Sequence, residues 1–168
     1  HTISVPRLKR ADDINPDDFD NGIDDETFEK ITACIRLAVP YTGIIIDARG
    51  KLPVHGEYIK DKTNPCFYPK IWDEKMNTVY ERSMVNPDVI INQGLISYDY
   101  TENPKNYIGR IGTDPLFIKA VEVFGRNRTD PVISREDALK ILTVPENIKL
   151  LQEGKVVILL DKESLVYD

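Results

Sequence analysis

The chain has 168 residues, the length of one globular domain, and its 41% hydrophobic and 30% charged residues are ordinary for a folded protein. Its net charge of -6 and its pI of about 5.0 argue against nucleic acid or an anionic membrane as a partner, because both need clustered positive charge. No apolar run approaches the roughly 20 residues that span a bilayer, so we predict no transmembrane segment in this chain. The first residues, HTISVPRLKR, lack the apolar region of a signal peptide, and we expect any export signal to precede residue 1.

Residues 1–22 form the first predicted unit, an extended acidic arm. The stretch ADDINPDDFDNG contains proline and glycine but has no apolar period. Its acids are spaced almost like those of a calcium loop. With Gly22 at the sixth position, however, Phe19 and Phe28 fall where an EF-hand needs oxygen ligands. We therefore predict a solvated arm without bound calcium, followed by a single α/β domain over 23–168.

A long N-terminal helix is predicted over 25–39. Its apolar residues recur every three or four positions and form one face: Phe28, Ile31, Ile35 and Ala38. Pro40 ends this helix. The next segment, TGIIIDAR over 42–49, has the β-branched run of a central strand that is buried on both faces.

The middle of the chain reads as strands and loops. FYPKIWDEKMNTVYE, 67–81, predicts two strands around the polar turn DEKMN. VIINQGLISY, 89–98, predicts a strand with a bulge at Gly94, and DPLFIKAVEVFG, 114–125, also favours a strand, although its ends would suit a helix. RTDPVIS predicts a short strand or edge. Two segments are predicted loops: 50–66 and 99–113.

Two short helices and a last strand are predicted near the C-terminus. Ser134 with Asp137, and Thr143 with Glu146, have the spacing of helix caps that open REDALKIL and PENIKLLQE. KVVILLD, 155–161, then predicts a buried strand. The predicted fold class is α+β: a mixed, mostly antiparallel sheet on which one long N-terminal helix and two short C-terminal helices pack.

Sequence motifs of common enzymes are absent. Apart from His1, the chain has one histidine, His55, and it lies in a predicted loop without a G-x-S-x-G motif elsewhere. The phosphate-cradling and zinc-protease motifs are missing too. The two cysteines, Cys34 and Cys66, are too few for a zinc site, and the sequence is compatible either with one disulfide between them or with two separate thiols. We expect no catalytic residues, no metal and no cofactor.

Two polar groups of residues remain as a candidate ligand-binding site. Asp47 and Arg49 lie on the same side of the predicted central strand, and GRNRTDP places Arg126, Arg128 and Asp130 in one short connection. If the two groups meet, Asp47 can pair with Arg128, and Arg49 with Asp130. This pattern is compatible with a structural ion-pair cluster at the end of a sheet, and also with a pocket for an anion or carboxylate.

The chain resembles a bacterial family on six segments: TGIIIDARG, FYPKIWDEKMNTVY, INQGLISY, DPLFIKAVEVFGRNRTDPVIS, EDALKI and KVVILLD. They are similar, in the same order, to the closing region of uncharacterised exported bacterial envelope proteins, which are related to flagellar-assembly and small outer-membrane lipoprotein families. The resemblance covers about residues 42–161. It implies an extracytoplasmic α/β module, in the periplasm or associated with the outer membrane, without an established enzymatic activity.

These observations favour a non-enzymatic module of the cell envelope that acts in assembly or as a binding platform, through its sheet edge or its loops. We expect a protein partner in the envelope and no nucleic acid. The alternative is a domain that binds a small molecule or an anion through the Asp/Arg cluster at the end of the central strand. The sequence leaves the oligomeric state open.

Overall fold

The computed structural model describes residues 26, 27, 30 and 40–166. The predicted acidic arm, 1–22, lies outside the described residues, as does nearly all of the predicted helix 25–39. The few residues that are described in that region are helical. From Pro40 onward the first regular element is a strand, so the prediction of a long N-terminal helix is not met in the part of the chain that the structure describes.

Strands and short helices alternate along the described residues. The ten strands are β1 (Gly43–Asp47), β2 (Lys51–Pro53), β3 (Lys60–Lys62), β4 (Ile71–Asp73), β5 (Thr78–Tyr80), β6 (Ser97–Asp99), β7 (Pro115–Lys119), β8 (Glu122–Phe124), β9 (Asp130–Ile133) and β10 (Val156–Leu159). The five α-helices from Pro40 onward are α1 (Pro87–Gln93), α2 (Ile108–Ile111), α3 (Arg135–Leu142), α4 (Pro145–Gln152) and α5 (Lys162–Leu165). The fold is thus α+β, with several sheets and short helices.

The main sheet has four strands in the order β6-β10-β1-β7, and all of its pairings are parallel. The predicted sheet, mixed and mostly antiparallel, is therefore wrong for the centre of the fold. Sequence patterns locate strands but do not name their partners. Here the long connections between the paired strands provide the crossovers that parallel pairing requires. All five residues of β1 are buried between β10 and β7, which confirms the predicted central strand.

A second four-stranded sheet, in the order β5-β4-β9-β8, is mixed, because β4 and β9 are parallel and the other pairs are antiparallel. Its strands β4 and β5 are those predicted around DEKMN. The chain passes directly from β7 in the main sheet to β8 in this one. Ala120 donates its backbone N–H to the carbonyl of Asp47 at 2.9 Å, and the next residue, Val121, donates to Val132 at 2.8 Å.

A two-stranded antiparallel ribbon, β2 with β3, lies within the segment that was predicted to be a loop. We call residues 51–62 the β2–β3 ribbon. It is attached to the second sheet, since Val54 forms a bridge with Val123 and the N–H of His55 donates to the Val123 carbonyl at 2.9 Å. Each strand of the ribbon has three residues, which is too short for a periodic pattern to distinguish a strand from a loop.

The predicted strand over 89–98 is also wrong, because its first half belongs to helix α1 and only Ser97 and Tyr98 at its end lie in strand β6. Asn86 caps this helix by accepting the N–H of Asp88 at 2.9 Å, and Pro87 occupies its first turn. These two residues lie just before the segment whose isoleucines favoured a strand. Gly94, with φ of 80°, ends the helix instead of forming a bulge.

The C-terminal helices α3 and α4 confirm the predicted pair. Ser134 caps α3 as expected, accepting the N–H of Asp137 at 3.0 Å. The second predicted cap is wrong: Val144 holds the N-cap position of α4, and Thr143 donates its hydroxyl to the carbonyl of Leu139 at 2.6 Å. The helix still begins at Pro145, whose missing N–H costs nothing in a first turn.

The main sheet buries a different set of side chains on each face. Ile44, Ile46 and their neighbours on β10 face the larger core, which also contains residues of α3, α4 and the second sheet. Ile45, on the opposite face, contacts a smaller cluster with Tyr107 and Ile111 from the connection between β6 and β7. Burial on both faces holds β1 in place and therefore fixes the position of its last residue, Asp47.

Candidate functional site

The carboxyl ends of the parallel strands meet at one edge of the main sheet, which we call the carboxyl edge. Asp47 ends β1, Asp99 ends β6, Lys119 ends β7, and Asp161 follows β10. In open parallel sheets this edge is the usual place for ligand binding, because the loops that leave it converge there. The sequence candidates Asp47 and Arg49 lie at this edge.

Asp47 is buried, with 6% of its surface exposed, and it is bound to Arg49 by a two-pronged ion pair. Arg49 donates from Nε to one carboxylate oxygen at 2.8 Å and from Nη2 to the other at 3.0 Å. Its backbone N–H donates to the same carboxylate at 3.1 Å. Lys119 adds a second cation, with Nζ 3.7 Å from Asp47 Oδ2. Asp47 is thus surrounded by donors that favour its ionised form.

The electrostatics of the pair follow from these contacts. Burial by itself raises the pKa of Asp47, but the hydrogen bonds from Arg49 and the charge of Lys119 outweigh burial and hold the pKa below its usual range. The hydrogen bond to Asp47 raises the pKa of Arg49. Both groups therefore keep their charges around neutral pH. A pair held in this state is poorly suited to general acid–base catalysis, which needs a group with a pKa near the working pH.

The remaining donors of Arg49 are also used. Its Nη2 lies 3.3 Å from Glu102, and its Nη1 donates to the carbonyl of Tyr100 at 3.4 Å. The carbonyl of Arg49 accepts Nζ of Lys119 at 3.1 Å. The guanidinium therefore ties the end of β1 to the loop after β6. Its nitrogens are already engaged by protein acceptors, unlike the unpaired cation of an anion pocket.

The turn after Arg49 is held by Asp161. Gly50 has φ of 79°, a conformation that favours glycine, and its N–H donates to both carboxylate oxygens of Asp161 at 3.0 and 3.1 Å. Lys62 of the β2–β3 ribbon lies 3.8 Å from the same carboxylate. The end of β10 and the turn between β1 and β2 are thus connected through one side chain.

The other sequence candidates form a separate cluster beside the second sheet. Arg128, with φ of 55°, lies 3.3 Å from Asp61 and 3.4 Å from Glu57, both in the β2–β3 ribbon. Asp130 accepts the N–H of Lys70 at 3.1 Å and Nε1 of Trp72 at 3.0 Å. These contacts connect the turn between β8 and β9 to the ribbon and to β4.

The structure brings Asp47 together with Arg49, but it does not join this pair to the GRNRTDP connection. Asp47 has Arg49 and Lys119 as its partners, and Arg128 has the acids of the ribbon. Arg126 is exposed, and its carbonyl accepts Nη1 of Arg128 at 3.3 Å. The candidate residues are divided because β1 belongs to the main sheet, whereas the β8–β9 turn belongs to the second sheet.

Several residues of these clusters were not identified from the sequence: Tyr100, Glu102, Lys119, Asp161 and the ribbon acids. The order of the strands in the sheets brings these residues to the site, and local sequence patterns do not reveal that order. Asp161 does lie at the end of the predicted strand KVVILLD, and that position was an available signal, whereas Lys119 lies in the middle of the strand predicted over 114–125. His55 also has a partner, with Nδ1 2.9 Å from Glu122 and its ring edge-on to Phe124 at 5.9 Å, although its sequence neighbours indicate only a loop histidine.

Replacing Asp47 with asparagine is expected to lower the free energy of unfolding at neutral pH by about 2 kcal/mol, since Arg49 then loses a charged acceptor. The folded-state pKa of Asp47 is lowered, so its ionised form stabilises the fold above the ordinary carboxyl pKa. That contribution is lost as the pH falls through the lowered value. Urea unfolding at a series of pH values should therefore show a shallower acid-induced loss of stability in Asp47→Asn than in the parent chain.

Glu102→Gln is the matched control, because it removes the other carboxylate partner of Arg49. The Glu102 side chain is 63% exposed, so its ion pair is screened and the variant should differ from the parent by at most about 0.5 kcal/mol. Equal losses in the two variants would contradict the assignment of Asp47 as the residue that fixes the Arg49 guanidinium.

Metal binding and membrane crossing can be judged for the described part of the chain. Over those residues, no group of three or more His, Cys, Asp or Glu side chains is arranged to hold a metal ion. In the same residues, every helix is too short or too polar to cross a bilayer. Cys66 is a free thiol, and Cys34 lies outside the described residues.

Comparison with known proteins identifies a bacterial family. The family model for the second domain of Treponema pallidum Tp0624 matches residues 43–162, from the first residue of β1 to the first residue of α5. None of the curated proteins matches the chain. The matched region contains both four-stranded sheets and both clusters described above, and it covers more than half of the sequence. The chain therefore belongs to the family of the second domain of Treponema pallidum Tp0624.

Proposed function

We propose that this chain is a non-enzymatic module of the bacterial cell envelope that binds a protein partner through the free edge of β7. The resemblance to exported envelope proteins supports the compartment, in the periplasm or at the outer membrane. A relation to flagellar-assembly or small outer-membrane lipoprotein families is part of the same proposal. The observation that carries the binding role is the open outer side of β7, which is one of the two outer strands of the main parallel sheet.

Strand β7 pairs with β1 along one side and, within the described residues, with no strand on its other side. Ala120 donates to the Asp47 carbonyl, so by alternation the N–H groups of Phe117 and Lys119 point away from the sheet. An edge with outward N–H and C=O groups can add a strand from another chain. The β7 edge thus has the backbone geometry that β-augmentation requires.

The side chains of β7 favour a selective contact. Phe117, which is 44% exposed, offers apolar surface, while the next residue, Ile118, is buried in the core; Val121, just beyond the end of β7, adds to the exposed apolar surface. Pro115 lacks an N–H and Lys119 adds charge, two features that limit indiscriminate pairing between sheet edges. An aromatic side chain beside a short open edge is typical of a surface that recognises one extended segment.

The alternative, a site for an anion or small molecule, is supported less well. Arg49 already pairs with Asp47 and Glu102, and Arg128 with two acids of the ribbon. An added anion would have to displace these carboxylates. The clusters act as structural connections between strand ends, whereas the outward N–H groups of β7 have no strand partner within the described residues.

The proposal is tested by placing a photoreactive side chain at Phe117 in the bacterium that expresses the full-length gene. Irradiation should yield one discrete covalent product with an exported protein, which mass spectrometry can identify. Ile91, on α1, is the control position, because it is a large apolar residue with 79% of its surface exposed but lies outside β7. Equal product from both positions, or none from Phe117, would reject the β7 edge, and fractionation of the full-length protein with the cytosol would reject the compartment.

A further inference from the structure

The β2–β3 ribbon divides its side chains between two faces. Leu52 is buried in the core, and Asp61, its cross-strand partner, lies on the same inner face. Lys51 stands directly opposite Lys62, and Lys60 stands opposite Pro53. Because side chains alternate along a strand, these lysines share the outer face of the ribbon. The outer face therefore carries three cations within two short strands.

The charge of this outer face is largely uncompensated. The ribbon contains two acids, Glu57 and Asp61, and both are paired with Arg128. Lys62 lies 3.8 Å from Asp161 and from Glu163, whereas Lys51 and Lys60 are exposed and have no carboxylate within 4.0 Å in the described structure. Like charges on directly opposed cross-strand residues destabilise a ribbon. An anionic surface bound to the outer face would relieve this repulsion.

The turn of the ribbon adds apolar surface next to the cations. Tyr58 is fully exposed and Ile59 is 49% exposed, directly before Lys60. The turn is held in place, since the Val54 N–H donates to the Ile59 carbonyl at 2.9 Å and Glu57 is paired with Arg128. A fixed tip of tyrosine and isoleucine with lysines behind it matches the layering of a bilayer surface, in which phosphates lie outside the acyl chains.

We propose that the β2–β3 ribbon docks this protein onto the surface of an anionic lipid bilayer, with its outer lysines on the headgroup phosphates and Tyr58 and Ile59 in the interfacial layer. Peripheral contact of this kind needs no membrane-spanning helix. The net charge of -6, which argues against an anionic membrane for the chain as a whole, is a global sum and does not describe this face. The ribbon is distinct from the β7 edge, so this inference does not depend on the proposed protein partner.

Cosedimentation with vesicles tests this inference on the whole chain. Phosphatidylcholine vesicles with about 30% phosphatidylglycerol should bind the protein, and pure phosphatidylcholine vesicles should bind it much more weakly. Lys51→Gln with Lys60→Gln should lower the affinity for the anionic vesicles by about 30-fold, from the effect of two surface lysines. Tyr58→Ser, at unchanged charge, should also weaken binding, by about fivefold.

Lys105→Gln with Lys149→Gln is the matched control, because both lysines are exposed and the change in net charge is the same. This double variant should keep parental affinity. Equal loss in the two double variants, or no binding to anionic vesicles, would overturn the assignment. So would binding of soluble glycerol phosphate or a polyanionic glycan to the ribbon with an affinity equal to that for vesicles, because a free anion would then suffice. Circular dichroism of each variant confirms that it is folded.

Discussion

Replacing Gly43 with alanine is expected to lower the free energy of unfolding by about 3 kcal/mol, the upper range for inserting one methyl group into a packed core. A Cβ atom at this position would overlap Cβ of Ile111 and would lie 2.6 Å from its Cα and carbonyl oxygen. Contacts this short with backbone atoms cannot be relieved by rotating a side chain. Either β1 or α2 must move, and β1 is held by strands on both sides.

Gly109→Ala is the control for this prediction, since it makes the same chemical change within α2. A Cβ at Gly109 would have no heavy atom within 4 Å, and alanine favours a helix over glycine by up to about 1 kcal/mol. Urea unfolding should therefore show a large loss for Gly43→Ala and no loss for Gly109→Ala. A Gly43→Ala variant as stable as the parent would mean that β1 and α2 do not approach each other as closely as described.

Arg110→Met is expected to be as destabilising, again by about 3 kcal/mol, because it removes a charged donor from three backbone carbonyls at once. Arg110 donates from Nε to Gly154 at 2.7 Å, and from its two terminal nitrogens to Gln93 at 2.8 Å and Gly94 at 2.7 Å. These acceptors lie at the ends of α1 and α4, where helix carbonyls lack internal partners. Burial lowers the pKa of Arg110, so the carbonyls stabilise a cation that is partly removed from water.

Two further variants make this prediction specific. Arg110→Lys keeps the charge but can reach only part of the acceptor set, so an intermediate loss is expected. Arg126→Met makes the same change at an exposed arginine, where the free energy of unfolding should move by at most about 0.5 kcal/mol. Thermal or urea unfolding should show the largest loss of stability for Arg110→Met, a smaller loss for Arg110→Lys and almost none for Arg126→Met. Equal effects of the methionine substitutions at positions 110 and 126 would rule out a stabilising role for the hydrogen bonds from Arg110 to the ends of α1 and α4.

Local signals in the sequence located many of the elements. The isoleucine run of β1, the serine cap of α3 and Pro145 at the start of α4 each act through neighbouring residues, so a single stretch suffices to read them. Signals of the same kind precede α1, where Asn86 and Pro87 come just before an isoleucine-rich segment. At α1 the cap and the proline outweigh the β propensity of the isoleucines, because β propensity depends more on tertiary context than helix signals do.

Strand partners and the candidate site depended on information that is not local. The pairing of Asp47 with Arg49 follows from their two-residue separation, and it lies within reach of sequence analysis. Lys119 and Asp161 join the cluster only because β7 and β10 pair with β1, one on each side. Arg110 lies in a segment with the composition of a surface loop, and its role depends on carbonyls from two other elements. Contacts of this kind can be inferred only after the order of the strands in the sheet is known.

The insertion of β10 between β6 and β1 has a consequence for how the chain is made. β10 is the last strand among the described residues, and both of its neighbours are synthesised long before it. Until residue 159 has been added, β6 has no strand partner in the main sheet and one side of β1 is open. Contacts between distant residues form slowly, and unpaired strand edges are prone to aggregate. A nascent chain that ends before β10 therefore exposes the strand edges of β6 and β1 that β10 later covers.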